Sequence, residues 1–167
     1  MLHESESKLR KRIRNLVILF IVALILSGVT AFPIESELAI AHSNISSFPE
    51  GLQNWISSVY LAVKSTNENF PYLSYGTDWL AFAHIVIAVA FIGPLRDPVK
   101  NIWVIQFGMI SCIMVFPLAF IAGPIRGIPF YWQLIDCSFG VFGFALLYLC
   151  YRNILELEKI QTSKNVA

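Results

Sequence analysis

Charged side chains make up only 14% of the 167 residues, and long stretches of the chain hold none of them. No Asp, Glu, Lys, Arg or His falls in 15–32 or 102–122, while 79–92 holds only His84 and 130–151 only Asp136. That pattern excludes a soluble helical bundle, whose helices need a polar outer face. Cysteine is sparse as well. Cys112, Cys137 and Cys150 all lie in apolar stretches, so there is no disulfide framework for an extracellular module. Also missing are a glycine loop for phosphate, a nucleophile elbow and a metalloprotease helix motif.

What is abundant is apolar surface. Hydrophobic residues make up 56% of the chain, with thirteen Phe and four Trp, more than one small soluble core can bury. Four segments approach the roughly 20 residues that cross a bilayer as a helix. The expected architecture is all-α: a four-helix tetraspan antiparallel bundle in the membrane, with an outer amphipathic helix between the first and second spans. As one membrane domain, 1–167 divides into a basic cytoplasmic tail 1–14, spans at 15–32, 79–95, 98–122 and 130–152, an outer segment 33–78 and a second tail 153–167.

Cations set the orientation. Lys8, Arg10, Lys11, Arg12, Arg14, Arg96, Lys100, Arg152, Lys159 and Lys164 fall on one side, against Lys64 and Arg126 on the other. The positive-inside rule then places both termini in the cytoplasm of a plasma or inner membrane. The first span has the basic start and apolar core of a signal peptide, with Val29-Thr30-Ala31 as a small-residue cleavage site, and is expected to stay as a signal anchor. Anionic lipid, and not nucleic acid, accounts for the basic tail.

In the outer segment, Ser47-Phe48-Pro49-Glu50 reads as a capping box. Leu52, Trp55, Ile56, Val59, Tyr60 and Val63 then recur at helical spacing over about 48–65, a helix that lies in the outer headgroup layer or closes over the bundle as a lid. Phe70, Tyr72, Tyr75, Trp79, Phe130, Tyr131 and Trp132 form an aromatic belt at the same boundary. Asp78 reads as the N-cap of the second span, and Asp97-Pro98 as the cap and first turn of the third. Asn44-Ile45-Ser46 is a glycosylation sequon wherever the cell glycosylates.

Ionisable groups are costly in lipid, so His84 and Asp136 are the candidate site. His84 lies five residues past Trp79 and Asp136 five past Tyr131, each roughly 7 Å below the outer edge. Ser27 and the Pro117 break fall at a similar level, with Arg126 above. Asp136 shares a stripe with Gly140 and Gly143, His84 one with Ala81 and Ala88, and the third span carries Gly108, Cys112, Val115 and Ala119; such small residues mark helix contacts in lipid. His84, Asp136, Arg126 and Ser27 are thus expected to line an outward-facing polar pocket for a small polar ligand, ion or proton. The competing reading is a hydrogen bond that only fixes the helices.

These features point to a ligand-binding, transport-accessory or partner-subunit protein, with the lipid bilayer and a membrane protein or second copy as partners. The alternative is a small membrane enzyme or redox protein using His84 and Asp136. No cofactor is assigned: haem needs a second axial ligand beyond His84, and zinc needs more ligands than His84, Asp136 and Cys137 or Asp78 supply. With its long first outer segment, short later loops and Gly51-Leu52 before Trp55, the chain resembles tetraspan proteins of the claudin type in layout. It lacks that family's paired outer-loop cysteines, so no function is carried over.

Overall fold

The computed structural model describes residues 2–166, with side chains from 6 to 164. It is all-helical, and no strand occurs among the described residues. Seven helices follow in order: α1 Leu2–Ala31, α2 Ile34–Ser43, α3 Glu50–Asn69, α4 Pro71–Ala90, α5 Ile92–Arg96, α6 Ile102–Ile125 and α7 Phe130–Val166, with a 3-10 turn at Ile45–Ser47. Four stretches, Glu6–Ala31, Pro71–Arg96, Ile102–Ile125 and Phe130–Lys164, are long and apolar enough to cross a membrane. Many of their large apolar side chains are exposed, Leu118, Ile121 and Phe142 among them. Lipid is the solvent that makes such an outside favourable, and the chain is a multi-pass membrane protein.

Two compact units form, one from Met1–Val22 with Ala88–Ala167, the other from Ala23–Ile87. In the first, α6 and α7 make the main helix pair, and small residues let their backbones approach. A Cβ on Gly140 would lie 2.7 Å from the Cys112 carbonyl oxygen, and one on Gly108 would lie 2.6 Å from a Leu147 methyl. In lipid, where there is no hydrophobic drive between helices, such close contact is what holds them. The turn between them uses Gly127 at φ 69°, the left-handed conformation that a side chain disfavours. Gln133, 4% exposed, closes the turn by donating from Nε2 to the Ile128 carbonyl at 2.8 Å.

Both terminal segments are helical rather than loose tails, with Leu9, Ile13 and Val17 of α1 and Leu147, Cys150, Ile154 and Leu157 of α7 buried. Their spacing of three and four continues past the apolar stretches, so the core does too. Lys164 Nζ meets Glu6 Oε2 at 2.5 Å, and Glu6 also accepts from Arg10. Helix α6 runs unbroken through Pro117 and Pro124.

Several expected boundaries shift. Helix α4 begins at Pro71, eight residues before Trp79, because proline suits a first helical position and Ser74 is tied to Asn67. Asp78 is therefore inside the helix and does not cap it. His84 lies thirteen residues from the first residue of α4, about 20 Å of rise, and five past Trp79. The capping box at Ser47 does not form: Ser47 ends the 3-10 turn, Pro49 holds the N-cap position of α3, and Gln53 Nε2 donates to the Phe48 carbonyl at 2.6 Å.

Asp97 caps a turn instead of α6, which starts at Ile102. Its Oδ1 accepts from the Lys100 backbone N–H at 3.2 Å and its Oδ2 lies 3.4 Å from Lys100 Nζ. The backbone hydrogen bond, ahead of the lysine charge, holds this carboxyl below its ordinary value. A depressed carboxyl stabilises the fold above the unfolded-state pKa, near 4, and that contribution is lost as pH falls through the folded one. The stability gap between the wild type and Asp97→Asn is expected to be constant above about pH 4 and to close below it, as read by thermal unfolding in detergent at stepped pH.

Candidate functional site

The second unit carries a half-open cleft of mixed polar and apolar lining. The end of α1, the start of α2, the last turns of α3 and the first turns of α4 enclose a cavity of about 460 Å³, in the size range of small-ligand sites. Ala31, Phe32, Ile34, Val63 and Leu73 supply its apolar wall; Glu35, Thr66, Asn67, Ser74, Thr77 and Asp78 supply the polar one.

Asn67 ties three helices together. Its Nδ2 donates to Glu35 Oε2 at 2.5 Å, from α3 to α2, and its Oδ1 accepts from the Ser74 hydroxyl of α4. Glu35 stands in the first turn of α2, where the helix dipole favours a carboxylate. The His42 ring packs 4.9 Å from that of Tyr60, securing α2 on α3, and Ile56 is buried. Asp78 is half-buried on the cleft wall, and its carboxyl makes no hydrogen bond or ion pair among the described residues. No Lys, Arg or His lines the cleft, so its two carboxylates have no counter-charge there. Sequence reasoning missed Glu35 and Asn67, which are 32 residues apart. The available signal was the polar run Lys64 to Asn69 at the end of an otherwise apolar-faced helix.

Of the residues expected to form a site, His84 is in this second unit and Asp136 in the first. His84 is half-buried, and its Nδ1 lies 2.8 Å from the Leu80 carbonyl one turn back. A carbonyl only accepts, so Nδ1 is the donor of this bond. Beside it α1 comes very close: a Cβ on Gly28 would be 2.6 Å from the Ala81 carbonyl oxygen and 3.2 Å from His84 Cβ. Gly28 is thus the α1 residue against α4, while its neighbour Ser27 is exposed. Ala81 and Ala88 are buried.

Asp136 is half-buried next to the seam of Gln133, Cys137 and Gly140, and its carboxyl has no hydrogen-bond partner among the described residues. Arg126 is exposed at the end of α6, its backbone N–H closing on the Ala122 carbonyl at 3.0 Å, and it makes no ion pair with Asp136 among the described residues. Among the described residues, no three His, Cys, Asp or Glu side chains converge as a metal centre. Comparison with protein-family models, with curated proteins and with solved structures returns no match.

Proposed function

We propose that this chain is a tetraspan membrane protein that binds a small polar, positively charged ligand in the cleft of its second unit, as a binding, transport-accessory or partner subunit. The observation that carries this reading is a 460 Å³ cleft with Glu35 and Asp78 on its wall and no cation opposite them. The bundle is antiparallel, both termini are cytoplasmic, and the first helix is retained as a signal anchor. Support for the common side of the two termini comes from the contact of Glu6 with Lys164, which joins the start of α1 to the end of α7, and from the ten-to-two bias of Lys and Arg. The cleft then opens on the outer side. In this reading α3 is the amphipathic outer helix and serves as a wall of the site.

Benzylammonium, with benzyl alcohol as its uncharged analogue, tests the proposal by calorimetry on the detergent-solubilised protein. A preference of about tenfold or more for the cation is expected, in keeping with a charge-assisted bond. Equal affinities, or none for either probe, refute it.

A second reading rests on His84, whose Nε2 has no partner among the described residues although it sits in a spanning helix. In that reading it takes up a proton or a small ligand at membrane depth, and a small enzyme or redox protein is the corresponding class. His84→Leu is expected to leave the thermal unfolding midpoint within a few degrees while removing that uptake. A large fall in the midpoint shows instead that the imidazole only supports the helix.

A further inference from the structure

In the first unit, helix α7 carries a groove of about 480 Å³ lined by Tyr148, Leu149, Arg152, Asn153, Leu155, Glu156 and Lys159. Tyr148, Arg152, Glu156 and Lys159 lie on the face opposite the buried seam of Leu147, Cys150, Ile154 and Leu157, and Asn153 lies at the edge of that seam, as the 3.6-residue period requires. We infer that this groove binds the phosphate of an anionic phospholipid where α7 leaves the bilayer.

Position carries the first part of the argument. The apolar stretch from Phe130 to Tyr151 covers 22 residues, about 33 Å of helix, enough to cross the hydrocarbon core. Arg152 is the first charge after Asp136, so it enters the headgroup layer. Lys159 lies two turns farther, about 10 Å, and its long side chain can reach back toward the same layer.

Charge and shape carry the second. Arg152 and Lys159 are exposed and make no ion pair among the described residues, although Glu156 stands between them. Two cations against one carboxylate leave the groove positive. Asn153 offers an amide donor, and Tyr148, its ring parallel to Phe144 at a centroid distance of 6.1 Å, offers with Leu149 an apolar flank on the bilayer side. The apolar flank comes first and the two cations, with the amide between them, follow it, in the order of an acyl chain and its phosphate.

The test uses the full chain in neutral detergent, titrated with phosphatidylglycerol, phosphatidylcholine or inorganic phosphate and followed by thermal unfolding. Phosphatidylglycerol is expected to raise the midpoint where the other two do not. The double variant Arg152→Gln/Lys159→Gln is expected to need about thirtyfold more of it, from about 1 kcal/mol per cation. The five cations of α1 remain in that variant, so a general surface attraction would survive the change. Glu156→Gln, which removes the groove's one carboxylate, is expected to tighten the response and keeps the proposal open to refutation if the double variant does not fold. An unchanged response in the double variant, an equal response to phosphatidylcholine or to free phosphate, or no tightening in Glu156→Gln overturns the site.

Discussion

Gly140→Val is expected to cost about 2–3 kcal/mol or more and to separate α6 from α7. The new Cβ would stand 2.7 Å from the Cys112 carbonyl oxygen, a backbone atom that cannot rotate away. Overpacking in a close contact typically costs 1–3 kcal/mol, and here two helices in lipid would also lose the dispersion contacts that hold them. Gly28→Val should act similarly in the second unit, since its Cβ would meet the Ala81 carbonyl oxygen at 2.6 Å. Gly76→Ala is the control: nothing lies within 4 Å of its would-be Cβ, and alanine is the better helix former. Unfolding in mixed micelles should show two strongly destabilised proteins and one at or above wild type.

Glu35→Gln/Asp78→Asn is expected to abolish the cleft's preference for a cation. Each carboxylate offers an ammonium group a charge-assisted bond that the neutral isostere makes only weakly. Their joint loss should lower benzylammonium affinity by about thirtyfold, or about 2 kcal/mol, and leave benzyl alcohol binding near its former value. Asn67→Leu probes the frame and not the charge. It removes the donor to Glu35 and the acceptor of Ser74 together, so binding of both probes should fall, with a lower unfolding midpoint. Calorimetry with the two probes on the three proteins separates these outcomes.

The spans were legible because hydropathy is a local property. An uncharged run such as 102–122 declares itself, and α6 at Ile102–Ile125 matches it closely. The start of α4 was not, because Pro71, Gly76, Thr77 and Asp78 have turn chemistry, and the Ser74 bond to Asn67 that ties this segment to α3 is not a local feature. The length of α7 was not legible from hydropathy: average polarity rises after Arg152, yet Ile154 and Leu157 continue the seam. Small-residue stripes gave the contact faces well, with Ala81, Ala88, Gly108, Cys112, Ala119 and Gly140 all buried. On α1 the polar Ser27 drew attention where the side-chain-free Gly28 makes the contact. The cleft itself depends on segments that meet only in the fold, Glu35 with Asn67 and Phe32 with Thr77, and no local pattern announces such a meeting.

The proposed cleft faces outward and takes a cation. Thr77→Cys puts a single new thiol on its wall, while Cys112, Cys137 and Cys150 are buried. With a membrane-impermeant maleimide on intact cells, the variant should be labelled from outside, and millimolar benzylammonium should slow that labelling where benzyl alcohol does not. Labelling that requires permeabilised cells, or that proceeds equally fast with and without benzylammonium, contradicts the account.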